Sequence, residues 1–398
     1  MGNIKEYQAV IVGGGMVGLA LAKGLIDRGL NIAIVERNQP KLHWSNNDKD
    51  LRVSAINRFS EQLLDNLDVW EAINQHEIAA FNQMFVFDEG SSGQIRMDAA
   101  EIAERELGFI IENRIIVKTL WQALMNKNAA LYVPCTIEKL DRFDNQWQLA
   151  LSDGRKIETQ LLIGADGASS WLRNQCQFQV KKRAYHQYAI VAEIETELSH
   201  KNCATQRFLA TGPLAFLPLA DPFRCSIVWS TTEHEATRLL ALDDEAFNIE
   251  LTNALNHHLG ICKVQSKRVK FPLTEQHVER YAKDGVVLVG DAAHVIHPLA
   301  GQGVNLGFKD VSSLINVLTN AHQKGRSLGD LSTLQQYERE RRWHNQLLIW
   351  MMAAFKSGFS NESKFLGFLR GNGLSFVDRR ALLKRFFMTQ AMGKKGLL

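Results

Sequence analysis

Residues 7–12 (YQAVIV) form a short apolar run that ends abruptly in Gly13-Gly14-Gly15-Met16-Val17-Gly18. A helical pattern then continues to about Arg28, and a second apolar run, NIAIVE, fills 31–36. Strand, glycine turn, helix, strand is the start of a parallel sheet, and the glycine spacing narrows the choice further. In G-x-G-x-x-G the first glycine permits the tight turn, the second lets a pyrophosphate touch the backbone, and the third lets the helix pack on the strand. Free N–H groups and the helix dipole then hold the phosphates. Glu36 lies 18 residues past Gly18, where a carboxylate accepts hydrogen bonds from the ribose of an ADP moiety and disfavours a 2′-phosphate. Gly13, Gly15, Gly18 and Glu36 are therefore candidate dinucleotide ligands. A coincidental glycine-rich turn is the competing reading, and the flanking strands and the acid weigh against it.

Two more strand ends carry glycine. QLLIGADGASSWLR (160–173) reads as strand, turn and helix, and GVVLV (285–289) runs into GDAAHVIHPLAGQGVNLGFKD (290–310). In an open parallel sheet, strand C-termini converge on one crevice, so the three turns are expected to share one elongated ligand. NAD fills the first turn alone, whereas FAD is long enough to reach from the first turn to the third. On that expectation Asp291 hydrogen-bonds a ribityl hydroxyl. Pro298, Ala300, Gly301 and Gly303 leave room for the flat isoalloxazine, and the helix starting near Val304 aims its positive end at the flavin N1–C2=O edge. Gly290, Gln302 and Asn305 complete the cofactor-binding set. His294 and His297 lack a third ligand nearby, so no metal site is expected.

At 398 residues the chain suits two associated domains rather than one core. Parallel-sheet elements at 7–36, 130–170 and 284–310 are interrupted by β-type alternation at 80–97 and 176–275. Helices are expected at 58–74, 114–126, 304–321 and 333–358, and strands at 130–140 and 147–151. The resulting division is a discontinuous nucleotide-binding domain (1–75, 108–175, 281–335), an inserted β domain (76–107, 176–280) and a C-terminal helical region (336–398). Five scattered cysteines without a CxxC pair argue for a reducing compartment and against a disulfide framework or a zinc site. No stretch reaches the ~18 apolar residues of a membrane span, and the N-terminal run lacks a signal-peptide cleavage site. Net charge is +3, too small for a nucleic-acid reading. From Ser363 onward there are eight Lys/Arg and one acid, a net +7 that leaves −4 on the rest.

Together, GxGxxG with Glu36, GADG at 164–167 and GDAAH at 290–294 resemble the class A flavoprotein aromatic hydroxylases, typified by p-hydroxybenzoate hydroxylase. More narrowly, HPLAGQGVNLGFKD (297–310) is similar to the signature of the ubiquinone-biosynthesis monooxygenases, as are LRVSAI (51–56), the ENR–LWQAL run (112–124) and GPLAFLPL (212–219). The resemblance covers residues 7 to about 373. It implies an α/β fold: a Rossmann-like FAD-binding domain, an inserted antiparallel β-sheet substrate domain and C-terminal helices. Arg52 would contact the flavin from the loop after the second strand. Gly164, Asp166 and Gly167 would serve FAD and NAD(P)H pyrophosphate binding, with Ser170 and Arg173 on the following helix and Asn113 near the cofactor. Taken alone, Arg52 reads equally as a surface arginine and Asp166 as a helix or turn cap.

The implied chemistry is hydroxylation of the aromatic ring of a polyprenyl phenol or quinol with O2 and NAD(P)H, the oxygen passing from a flavin C4a-hydroperoxide. The favoured step acts on a demethoxy-ubiquinol, a preference that also draws on SGFSN (357–361). Such a ring is already nucleophilic, so no acid–base pair is assigned. Phe216, Leu217 and Leu219 are candidates to line the pocket, with core packing as the competing reading. A membrane-resident substrate implies a cytoplasmic protein in peripheral contact with the inner membrane and with other ubiquinone-biosynthesis proteins. The basic C-terminus, with its apolar neighbours, suits an anionic lipid surface. As 378–392 does not divide into two clean faces, a packing helix with solvated lysines stands beside that reading. Alternatives on the same scaffold are an earlier ring position, a prenyl-chain reductase, a halogenase (whose paired tryptophans are absent) and a non-enzymatic flavoprotein in a biosynthetic complex.

Overall fold

Ala9–Val12, Ile32–Val35, Leu162–Gly164 and Val286–Leu288 are buried at every position. Strands with no solvent face belong inside a parallel sheet covered on both sides, and they form its centre. The computed structural model describes residues 4–45, 50–91, 93–295 and 303–359, with 384, 385, 388, 389, 392 and 393. Across this sheet the order is 282–283, 286–288, 162–164, 9–12, 32–35, 130–132. All neighbours are parallel except the edge strand Ala282–Lys283.

Helices Met16–Ile26, Asn113–Asn126 and Gly303–Gln323 pack together over the sheet. Their approach is close enough to require glycine. A Cβ on Gly24 would lie 2.2 Å from Ile315 Cδ1, and one on Gly307 2.6 Å from Val17 Cγ2. The long helix Leu331–Phe359 packs against Gly303–Gln323 and the edge strand.

The expected strand at 130–140 is two strands in different sheets. Ala130–Tyr132 joins the parallel sheet, whereas Ile137–Phe143 turns away after Pro134 into an antiparallel meander with Gln146–Leu151 and Lys156–Thr159. The middle parallel segment therefore contributes only its two ends. The expected helix at 58–74 is also two, Arg58–Asn66 and Trp70–Asn74, because Asp68 adopts φ +56°, a left-handed backbone no helix can carry through.

Among the described residues, the β-rich segments build a nine-stranded, mostly antiparallel sheet. Helices Glu233–Ala241 and Asp244–Ala254, capped by the Thr232 and Asp243 side chains, cover one face. There Phe216, Trp229, Ile190 and Phe247 form a core. The opposite face meets a three-stranded antiparallel sheet of Val53–Asn57, Gly108–Glu112 and Ala79–Phe81. That small sheet draws strands from both sides of the 75/76 and 107/108 boundaries.

Candidate functional site

Gly164 is in register with Val12 on one side and Leu288 on the other, so the three glycine turns leave adjacent strands at one level. Backbone hydrogen bonds link each turn to a neighbouring strand. Gly13 N–H donates to Val35 O at 2.9 Å, Ala165 N–H to Val12 O at 2.8 Å, and Val289 N–H to Gly164 O at 2.9 Å.

The motif glycines fall into two groups. A Cβ on Gly13 (φ +112°) would lie 2.4 Å from Ala165 O, and one on Gly18 2.1 Å from Gly13 O. The chain itself needs glycine there. Among the described residues, a Cβ on Gly15 meets no atom within 4 Å, and the same is true of Gly167 (φ +81°). The protein's own packing does not exclude a side chain at Gly15; a ligand lying on that turn would, which is how a pyrophosphate fits. Glu36 closes the turn. Its Oε2 accepts Gly14 N–H at 2.6 Å and its Oε1 accepts Asn38 N–H at 2.8 Å, and each oxygen keeps a second lone pair for a ribose hydroxyl.

Asp166 caps the helix Trp171–Gln175 through Leu172 N–H at 3.1 Å, while its Oδ1 is buried with no partner among the described residues. Both readings of this residue are therefore compatible: one oxygen caps, the other is available. Ser170 is the N-cap, accepting Arg173 N–H at 3.0 Å. Arg173 is fully buried and binds Ala168 O at 2.9 Å and Ala292 O at 3.2 Å, tying the second turn to the third. Burial lowers its pKa, partly offset by Asp166.

In the third turn Gly290 has φ +57° and donates its N–H to Asp310 Oδ2 at 3.0 Å. Asp291, next along, presents an exposed side chain at the bottom of the crevice. So much protein surrounds it that desolvation, with help from Asp310, raises its pKa, while His294 and Arg52 pull the other way. Arg52 is exposed and close enough to act electrostatically on Asp291; its carbonyl accepts Asn113 N–H at 2.9 Å. Asn113 uses its side-chain oxygen for the Ser54 hydroxyl at 2.6 Å.

Asn305 is committed elsewhere. Its Oδ1 accepts Asn57 N–H at 3.1 Å and Ser60 Oγ–H at 2.7 Å, and its Nδ2 donates to Ala55 O at 2.7 Å. This side chain clamps the small sheet to the helix Gly303–Gln323, so a flavin contact from Asn305 falls to its backbone. Gly303 and Val304 open that helix, with open space beside Gly303. Pro298, Gly301 and Gln302, with His297 and Ala300, lie outside the described residues.

Beneath the third turn sits a hub that the motif spacing did not single out. Asp310, wholly buried, receives His294 Nε2 at 2.6 Å and Arg341 Nε at 2.8 Å. Arg341 also donates to Asn345 Oδ1 at 2.8 Å, and Asn345 to the Tyr281 hydroxyl at 3.1 Å. Burial opposes the charge on Asp310, but His294 and Arg341 outweigh it and hold the carboxyl at about 2. His294 is thus a partner of Asp310. The signal that could have found the hub is an acid on the apolar stripe of its helix, one turn before Leu314.

Between the small sheet and the long sheet runs a cleft. One end is a groove of about 960 Å³ with Val53, Glu112, Glu193, Leu219, Arg224 and Ser226 on its walls, and Arg224 Nη1 pairs with Glu193 Oε1 at 2.7 Å. The other end is an apolar cavity of about 60 Å³ lined by Ala55, Phe81, Met84, Met97, Leu217 and Met388 among others. Ile110 borders both. Leu217 and Leu219 thus face the cleft, while Phe216, between them in sequence, points into the core on the other face because strand side chains alternate.

Residues 6–350 match the family described as "FAD binding domain". The chain is 36% identical over 387 residues to the 3-demethoxyubiquinol 3-hydroxylase of Escherichia coli, covering 97% of this chain and 98% of that protein. It is 35% identical to the ubiquinone hydroxylase UbiL of Rhodospirillum rubrum (98% and 90% covered) and 34% identical to human mitochondrial COQ6, a ubiquinone biosynthesis monooxygenase (97% and 92% covered). In fold it is similar to p-nitrophenol 4-monooxygenase PnpA from Pseudomonas putida, with TM-score 0.79 at 15% identity over 99% of this chain and 100% of that one. A second fold neighbour is PqsL from Pseudomonas aeruginosa, with TM-score 0.77 at 20% identity over 91% of this chain and 99% of that one. These neighbours share the fold of this chain. The chain belongs to the FAD-dependent aromatic hydroxylases and, within them, to the ubiquinone-biosynthesis monooxygenase family.

Proposed function

We propose that this chain hydroxylates the aromatic ring of a membrane-resident polyprenyl quinol, acting on a demethoxy-ubiquinol late in ubiquinone biosynthesis. FAD is the cofactor and NAD(P)H and O2 are the co-substrates of the class. The observation that carries the reading is the unfilled space over Gly15 and Gly167 on adjacent strand tips, in a chain whose curated relatives hydroxylate ubiquinone precursors.

FAD, when bound, supplies the two-electron chemistry that activates O2. The chain's residues do the rest. Gly13 and Gly18 shape the turn, Gly15 and Gly167 admit the pyrophosphate, and Glu36 receives the ADP ribose. Asp291 would accept from the ribityl chain, with Arg52 close enough to act electrostatically on it. Gly303, Val304 and the Asn305 backbone would lie beside the ring system, and the sequence motif adds Pro298, Gly301 and Gln302, outside the described residues, to the residues that would hold it. The two facing sheets keep water from the reacting centre, which such oxygen chemistry requires. Overall, a ring C–H becomes C–OH, one oxygen atom of O2 leaves as water, and NAD(P)H supplies the electrons.

No helix among the described residues is long and apolar enough to cross a membrane. Peripheral contact with an anionic membrane surface, through the basic positions after Ser363 other than Lys384, gives the enzyme access to its substrate. Deleting the protein in its host tests the assignment. Accumulation of a demethoxy-quinone supports it, an early phenol moves the reaction to another ring position, and an unchanged quinone pool overturns it.

A further inference from the structure

The described C-terminal positions fold back onto the cleft. Met388 and Met392 are 1% and 3% exposed, and both line the apolar cavity with Phe81, Leu107 and Leu217. Three contacts seat them. Met392 O accepts Phe59 N–H at 3.1 Å, and Lys384 Nζ pairs with Glu101 Oε1 at 2.8 Å. Gly393 has φ +74° and lies so close that a Cβ would be 2.8 Å from Phe59 Cβ, so only glycine fits the seat. The basic residue Lys384 is thus bound to the body rather than free for lipid.

With both methionines in place the cavity holds about 60 Å³, room for about two waters at ~30 Å³ each. A string of isoprene units does not fit in that space. The adjoining groove has no apolar walls of this kind, since it carries Glu112, Glu193 and Arg224. Four of the chain's nine methionines (Met84, Met97, Met388, Met392) line this cavity. Unbranched, polarisable side chains repack around a flexible apolar guest better than branched ones. Met84 and Met97 belong to the sheet. Met388 and Met392 lie on a return seated through Met392 O, Lys384 and Gly393. Burial of each methionine side chain contributes about 1.5–3 kcal/mol, which an apolar guest that takes their place recovers.

We propose that Met388 and Met392 form the movable wall of a tail channel and set the enzyme's preference for tail length. The apolar tail of the substrate enters between the two sheets by displacing these two side chains, while Met84 and Met97 repack around it. This rests on the quinol-hydroxylase reading above.

The test uses the full-length FAD-loaded protein and one demethoxy-quinol ring carrying no tail or tails of one to eight isoprene units, presented in detergent micelles. The readout is kcat/KM along the series, with flavin absorbance checking that each variant is folded and loaded. Met388→Ala with Met392→Ala is expected to raise the long-tail to no-tail ratio at least several-fold, and Met392→Trp to lower it. Gly393→Ala, which unseats the segment without touching the cavity, should shift the ratio in the same direction as the alanine pair. Ratios within twofold of wild type in all three variants overturn the proposal and leave the hydroxylase reading intact. A wild-type protein that hydroxylates no member of the series overturns that reading and this proposal with it.

Discussion

Gly13, Gly15 and Gly18 answer to different masters, and substitution should separate them. Gly15→Val has nothing in the protein to strike, so the chain should fold, give a normal circular-dichroism melt and purify without flavin absorbance. Gly13→Val collides with Ala165 in a backbone conformation that disfavours side chains, and should fail to fold; equal flavin content in both variants would refute the distinction. Asp291→Ala is expected to lose flavin while keeping its melt, because on the proposed reading its exposed side chain serves the ligand and not the core. The spacing from Gly13 to Glu36 was readable in advance since its constraints are local. Asn305 and Phe216 were not, because their roles depend on which neighbour each side faces. Asn305 is claimed by Asn57 and Ser60, about 250 positions away in sequence, and Phe216 by the opposite sheet face.

The long helix Leu331–Phe359 matters to the third turn through Asp310. Asp310→Ala leaves Arg341 buried without its acid partner, and removing one member of such a pair costs about 3–5 kcal/mol; urea unfolding that shows less than ~1 kcal/mol would contradict the hub. The same cluster sets an acid limit. Burial first, then His294, Arg342 and Lys181, depress the pKa of His277 to about 4. An unfolded chain takes up that proton near 6.5, so between those values the unfolded state binds more protons and stability falls as pH falls. Asp310, held at about 2, extends the loss with the same sign below pH 4. His277→Gln should flatten the Tm–pH slope between pH 6.5 and 4, and an unchanged slope would contradict this. At this scale the strongly periodic helices were legible, as at 304–321. The single helix at 58–74 was not, since Asp68 interrupts it through backbone geometry rather than through an apolar pattern.

The molecule as a whole brings a nucleotide crevice and a β cleft together by interleaving their segments. In the sequence, parallel-type and antiparallel-type stretches alternate; in the structure 9–12, 32–35, 130–132, 162–164 and 286–288 share one sheet while 83–98 and 180–278 contribute to another. The small sheet was missed because its three strands come from 53–57, 79–81 and 108–112 and pair only in three dimensions. For the C-terminus, packing on the body stood in the sequence only as one of two readings, because Met388 and Met392 carry no signal until the cavity they line exists. If crevice and cleft work as one site, purified FAD-loaded protein given NAD(P)H, a demethoxy-ubiquinol and ¹⁸O2 should yield a hydroxylated ring carrying one ¹⁸O atom by mass spectrometry. NAD(P)H consumption without ring product, or a product whose new oxygen comes from water, would contradict the account.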